Sequence, residues 1–268
     1  MEIDKQRFER HVPAFKDAGD RLFAKMADSL ARCSRELDEL TGRAPLSAPQ
    51  EEMAAWHVCA RAAYEAAPQL DLVLTPTGFG VVSNQNTAPA SRDRVAALRE
   101  RLRQEKSSAR DQLLYSLLRE SDWGETEAAA NAVGGLLWCP MLCRQLGVPG
   151  PAEATVYDEE FDRLRPALDD AENAVRKLIS GALYERLTAE CRRRSPSRGY
   201  AGLVAPTRRL MAHLLRRSPH AAVRRAASAL LEAVRAGNFE EYENSSTAAA
   251  QRAQPYRNAK SDPTYFWG

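Results

Sequence analysis

The stretch Asp71-Leu-Val-Leu-Thr-Pro-Thr-Gly-Phe-Gly-Val-Val-Ser-Asn84 is the one clear strand signal in a chain whose other segments have helical periodicity. Two short apolar runs, 72–74 and 79–82, flank Thr75-Pro-Thr-Gly78, where Pro and Gly occupy the positions that a type I turn favours. The pattern predicts a two-stranded β-hairpin over about residues 71–83. A lone hairpin is marginal in water, so it must lie on helices or pair with another chain.

On both sides of this stretch the sequence predicts long amphipathic helices. Apolar residues recur at spacings of three and four over 17–40 and again over about 51–67. Ser91 is suited to cap a helix that reaches about Arg119 and is ~45 Å long. Further helices are predicted over 126–146, where Pro140 is a candidate break, and over 157–194, 200–217 and 220–235. The predicted fold is mainly α: a helical bundle of long amphipathic helices with one small β-hairpin and an extended C-terminal arm.

The best linker candidate is Gly147-Val-Pro-Gly-Pro151. It divides the chain into an N-terminal helical half that contains the hairpin (1–147), a C-terminal basic helical half (152–254) and an arm (255–268). The arm contains Pro255 and Pro263 and has no helical period, so an extended conformation is predicted. It carries three consecutive aromatic residues, Tyr265, Phe266 and Trp267, which must dock on the protein's own body or on a partner.

Bulk composition indicates a soluble globular protein. The chain has 268 residues, 44% of them hydrophobic and 28% charged. It has no run of 18 apolar residues, so no membrane span is expected, and the segment after Met1 has no apolar region of a secretory signal. The five cysteines are odd in number and lie among apolar helical residues, which favours reduced thiols over a disulfide framework.

The net charge of +2 conceals a strong asymmetry. Residues 176–225 carry thirteen Lys or Arg and two acids, whereas the remaining chain carries 25 bases and 34 acids. Arginine pairs recur every eight residues in this segment, and on the predicted helix over 200–217 Arg209 and Arg216 lie opposite the apolar face. The pattern predicts a basic outer face that contacts DNA phosphates or an acidic partner without reading bases; solvated helix faces are the alternative. The candidate contact residues are Arg208, Arg209, Arg216 and Arg217.

Motifs for catalysis, cofactors and metals are not found. There is no phosphate-binding Gly-x-x-x-x-Gly-Lys-Ser/Thr motif, and Cys139 and Cys143 have no second Cys/His pair nearby, so buried thiols are favoured over zinc. His57 lies on an apolar stripe, where a hydrogen-bonded core histidine is expected. The acids at 158–160 and at 169–170 are interpreted as helix-dipole and solvent-facing groups. We therefore predict no catalytic, cofactor-binding or metal-binding residues and no enzymatic activity.

The hairpin stretch resembles a family of uncharacterised proteins from Bacteroidetes phages and prophage-like elements. The similar residues are those from Leu72 to Asn84, then Asn86, Ala88-Pro-Ala-Ser91 and Arg94-Val95. The closing Pro255-Tyr-Arg-Asn258 and the terminal aromatic-Gly are also similar, so the resemblance covers about residues 50–268. The order of helices around one small hairpin is similar to that of head–tail connector (adaptor) proteins, which form rings beneath the portal.

This resemblance implies a virion structural protein, assembled in the host bacterial cytoplasm, that forms a homo-oligomeric ring. Its implied partners are the portal and neighbouring tail or head-completion proteins, with non-specific DNA contact and no membrane. An exposed hairpin edge and an aromatic tail are compatible with such a subunit. The candidate interface residues are Leu72, Leu74, Phe79, Val81, Tyr265, Phe266 and Trp267. The alternative is a cytoplasmic nucleic-acid-binding helical protein that uses the basic 176–225 segment.

Overall fold

The computed structural model describes residues 1–16, 20–69, 72–75, 78–81 and 92–252. The prediction of a mainly α fold is confirmed. The helices of these ranges are α1 (Lys5–His11), α2 (Asp20–Leu40), α3 (Ala48–Ala66), α4 (Arg92–Glu120), α5 (Glu127–Ala132), α6 (Pro140–Gln145), α7 (Asp158–Ile179), α8 (Gly181–Arg192), α9 (Arg198–Leu215), α10 (His220–Gly237), α11 (Glu240–Glu243) and α12 (Ser246–Arg252). No helix in these ranges is both long and apolar enough to cross a bilayer.

The N-terminal part is built on the long helix α4. Its 29 residues span ~44 Å, and α3 packs along it while α2 packs on α3. The apolar stripe of α2 faces this layer and is fully buried at Leu22, Met26 and Cys33. The inward orientation that the periodicity of this helix predicts is therefore confirmed.

Two short strands lie between α3 and α4. β1 (Leu72–Thr75) and β2 (Gly78–Val81) pair antiparallel, with Leu72 opposite Val81 and Leu74 opposite Phe79. β2 lies beside a 3₁₀ turn, Pro13–Phe15, near the amino end. Among the described residues no third strand pairs with either edge. The predicted extended arm, 255–268, lies outside the described residues.

Two of the predicted helices are interrupted. The segment 126–146 contains the short helices α5 and α6 instead of one long helix. Gly134-Gly135 lies in the non-helical stretch between them. Leu136 and Leu137 belong to the same stretch, and their side chains are buried in the core. The segment 157–194 is divided at Ser180, whose φ of 78° and ψ of 148° are incompatible with a continuous helix. The Ser180 side chain then caps α8 by accepting a hydrogen bond from the Leu183 amide.

Buried apolar residues from Phe8 to Ala248 belong to one core cluster. α7 packs on α9, and α9 packs on α10. The segment proposed as a linker, 147–151, ends at the first residue of the 3₁₀ turn Pro151–Glu153 and includes the buried residues Val148 and Gly150. The division of the chain into two helical halves at this segment stays a prediction.

Candidate functional site

The register of the two strands places Leu72 opposite Val81 and Leu74 opposite Phe79. In an antiparallel pair, directly opposed residues lie on the same face, and the face alternates along each strand. The observed register therefore groups the four predicted interface residues Leu72, Leu74, Phe79 and Val81 on one face of the ribbon. The other face has Val73 and Thr75 opposite two glycines. The side chains of these strands, like the predicted interface residues Tyr265, Phe266 and Trp267, lie outside the described part of the structure.

The four arginines predicted to contact DNA or an acidic partner divide into two kinds. Arg209 and Arg217 are exposed and form no ion pair with any of the described residues. Arg208 is half-buried, and its Nε donates a hydrogen bond to the Leu136 carbonyl oxygen at 2.8 Å. Arg216 is exposed, yet its Nε donates to the Ala212 carbonyl oxygen at 3.2 Å. Arg208 thus ties α9 to the non-helical segment between α5 and α6, and Arg209 and Arg217 are the free cations of the set.

The remaining cations of the basic segment follow the same division. Arg176, Arg186 and Arg193 pair with glutamates, and Arg192 donates to a main-chain carbonyl. Seven cations of the segment are exposed and form no described ion pair or hydrogen bond: Lys177, Arg194, Arg198, Arg209, Arg217, Arg224 and Arg225. Arg198 and Arg209 are eleven residues apart on α9, about three helical turns, so they lie on the same face. We call these seven residues the free basic surface.

A charged cluster between α4 and α7 is missed by the sequence analysis. α4 carries cations at positions 99, 103, 106 and 110, which share one face because their spacing is three or four residues. The first residues of α7 pack against this face. Lys106 Nζ lies 3.3 Å from Asp158 Oδ2 and 2.9 Å from Glu159 Oε1, and Arg103 lies 2.7 Å from the buried Glu160.

The interpretation of the acids at 158–160 as solvent-facing groups is therefore wrong. They do begin a helix, and Glu160 accepts a hydrogen bond from the Tyr157 amide at 3.1 Å, as in a capping box. The tertiary fold nevertheless turns them toward the cations of α4. The local sequence signal for this ion pairing is the row of cations on one face of α4. The same helix also carries an apolar pattern, so the row is not evident from the sequence alone.

Asp111 extends the cluster into the core. It is fully buried, its Oδ1 lies 2.9 Å from Arg110, and its Oδ2 accepts a hydrogen bond from the Met141 amide at 2.9 Å. Burial raises the pKa of Asp111, and Arg110 only partly opposes this effect. Burial would also raise the pKa of Asp158, but Arg110 and Lys106 lower it below its usual value. The cluster joins α4, α6 and α7 and has the character of a structural ion network.

The core histidine and the cysteines occupy the environments that the sequence predicts. His57 is buried, and its Nδ1 lies 2.7 Å from the Lys106 carbonyl oxygen. Cys139 and Cys143 are buried free thiols, and burial raises the pKa of each to about 12. Within the described ranges no three His, Cys, Asp or Glu residues are grouped in a way that could hold a metal ion.

Comparison with known proteins finds a match to a protein family. Residues 13–132 are similar to a family of unknown function, DUF6712. The matched segment runs from the 3₁₀ turn at Pro13 through the hairpin and α4 to the end of α5, so it includes the apolar hairpin face and excludes the free basic surface. No curated protein and no solved structure matches the chain.

Proposed function

We propose that this protein is a phage or prophage virion structural protein and that it acts as a head–tail connector (adaptor) subunit, forming a homo-oligomeric ring at the portal. The observation that carries the proposal is the hairpin, whose register groups four apolar residues on one face. Supporting it are the resemblance of the hairpin residues to phage proteins and a mainly helical body, in which the two strands follow α3 and precede α4 and β2 lies beside the turn Pro13–Phe15. In the virion its partners would be the portal and neighbouring tail or head-completion proteins.

The hairpin can contribute to a ring in two ways. Its strand edges can add to a neighbour's strand through main-chain hydrogen bonds, and its apolar face can pack on a neighbour. A ring requires a heterologous interface, in which two different surfaces of each subunit meet. The hairpin would supply one of these surfaces, and the second would lie on the helical body.

The test mixes purified protein with the portal protein encoded by the same genome and measures the masses of the complexes by mass photometry. We expect a cyclic complex, even if the isolated protein is monomeric. Leu74→Asp puts a charge on the apolar face and should abolish the complex, while Thr75→Asp, one residue along on the opposite face, should leave it intact. Both variants should retain the helical circular-dichroism spectrum. If the wild-type protein binds no virion component, the proposal is wrong.

A second candidate function is non-specific nucleic-acid binding, and the free basic surface favours it. Seven exposed cations that pair with no carboxylate in the described part of the chain are available for phosphates, and each phosphate contact releases a counterion. Binding should therefore be independent of sequence and weaken steeply with salt. Under this alternative the protein would act in the bacterial cytoplasm and would not need a ring.

Salt titrations with duplex DNA test this alternative. Replacing Arg209, Arg224 and Arg225 by Ser should reduce the slope of log K against log salt by up to about 2.7, which is ~0.9 for each lost contact. The matched control replaces Lys25, Arg35 and Arg163, which are exposed cations outside the segment, and changes the net charge equally. Equal effects of the two triple variants would mean that net charge alone, and not this surface, governs binding.

A further inference from the structure

A cavity of about 170 Å³ lies where the end of α4, the end of α8 and the first half of α9 meet. Apolar groups from three parts of the chain line it, including Leu118, Trp138 and Val204, and arginines Arg119, Arg193 and Arg208 surround them. None of the described residues that line it is an acid. Two larger cavities beside α7 have a different character, since carboxylates such as Asp162 and Glu172 line them.

The size and chemistry of this cavity suit one aromatic side chain. An apolar cavity of about 150 Å³ in another protein holds a benzene molecule. Arginine guanidinium groups stack on aromatic faces, and the attraction grows as the groups lose water. Arg119 already stacks this way on Tyr115, with its guanidinium carbon 5.1 Å from the ring centroid.

The chain contains aromatic residues that need such a site. Tyr265, Phe266 and Trp267 are consecutive, and full exposure of all three would leave a large apolar area in water. The segment that carries them starts after Arg252, at the end of α12. Gln251 donates a hydrogen bond to the Leu178 carbonyl oxygen at 2.9 Å, so α12 is anchored near the start of α8.

The aromatic residues can reach the cavity from this anchor. The cavity lies at the other end of α8, whose 12 residues span ~18 Å. Twelve residues lie between Arg252 and Tyr265, and the thirteen Cα–Cα steps that join the two residues can span up to ~43 Å when extended. The connection is therefore long enough even if it follows an indirect course over α8 or α9.

We propose that the segment Tyr265–Trp267 docks on its own chain by inserting one aromatic side chain into the arginine-rimmed cavity between α4, α8 and α9. The occupant is then intramolecular, and the same residues are not available to hold a neighbouring subunit. This inference does not depend on the proposed connector function, because it concerns the isolated chain.

Photo-cross-linking of the full chain tests the proposal. Phe266 is replaced by p-benzoylphenylalanine, dilute protein is irradiated, and the cross-linked peptides are identified by mass spectrometry. An equal mixture of ¹⁵N-labelled and unlabelled protein separates cross-links within one chain from those between chains. We expect intrachain cross-links to peptides that contain Trp138, Cys191 or Val204. Cross-links to another surface, interchain cross-links or none at all would overturn the proposal.

Two matched substitutions on α9 complete the test. Val204→Arg fills the cavity and should reduce the yield of these cross-links by roughly tenfold, which corresponds to ~1.4 kcal/mol of docking free energy. Ala205→Arg adds the same side chain at the next, exposed position outside the cavity and should leave the yield unchanged. Equal yields in the two variants would contradict docking at this cavity. The melting temperature of each variant confirms that it is folded.

Discussion

The Nδ1 atom of His57 lies 2.7 Å from the main-chain carbonyl oxygen of Lys106 and donates a hydrogen bond to it. The side chain of Lys106 extends to Asp158 and Glu159 at the start of α7. One residue of α4 thus binds α3 through its main chain and α7 through its side chain. His57 is buried and neutral, because burial lowers its pKa to about 4.

This histidine predicts a pH dependence of stability. Its pKa is about 6.5 in the unfolded chain and about 4 in the folded protein, so between these values the unfolded state binds more protons. The free energy of unfolding should therefore fall as the pH drops from 6.5 to 4, by about 3 kcal/mol from this group. Urea denaturation across this range measures the loss, and His57→Gln, which does not titrate there, should show less of it. Equal losses in both proteins would contradict the assignment.

The buried Asp111 predicts a large mutational effect. Asp111→Ala leaves the Met141 amide without its acceptor and removes one of the two carboxylate partners of the half-buried Arg110, which keeps Asp158. Breaking such a buried pair costs about 3–5 kcal/mol. The control is Asp122→Ala, at an exposed acid that pairs with none of the described cations, which should stay within about 0.5 kcal/mol of the wild type. Urea unfolding of both variants compares the two sites.

Ser180 permits a test of backbone strain. Its φ of 78° is costly for any residue with a Cβ, and its hydroxyl both donates to the Glu241 carbonyl oxygen and accepts from the Leu183 amide. Ser180→Ala loses these hydrogen bonds and keeps the strain, whereas Ser180→Gly loses them and relieves it. The alanine variant should therefore unfold more easily than the glycine variant by about 1 kcal/mol, as thermal or urea denaturation would measure. Because both variants lack the hydroxyl, the opposite order would contradict backbone strain at this φ.

Two glycines in contrasting surroundings form a further matched pair. A Cβ at Gly124 would collide with the main-chain carbonyl oxygen of Arg192, so Gly124→Ala should destabilise the protein by about 1–3 kcal/mol. A Cβ at Gly202 meets nothing within 4 Å in the middle of α9, and Gly202→Ala should stabilise by about 0.5–1 kcal/mol. The two melting temperatures should move in opposite directions. A shift of both in the same direction would contradict this account of the two sites.

The sequence alone was sufficient to predict the mainly α fold and the long helices α2, α3 and α4, because their apolar residues repeat at the helical period. It also predicted the buried, hydrogen-bonded His57 and the outward orientation of Arg209. These features depend on residues close together in the chain, so the local pattern contains the required information.

Only the tertiary structure decided the features that depend on distant partners. Glu160 and Arg103 are separated by 57 residues, and nothing near either one distinguishes a buried ion pair from two solvated charges. The break at Ser180 is stabilised by a hydrogen bond to the Glu241 carbonyl oxygen, 61 residues away. Arg208 is half-buried because its guanidinium group donates a hydrogen bond to the Leu136 carbonyl oxygen. In each case the local sequence permits several conformations of similar free energy, and a contact with a remote segment selects one of them.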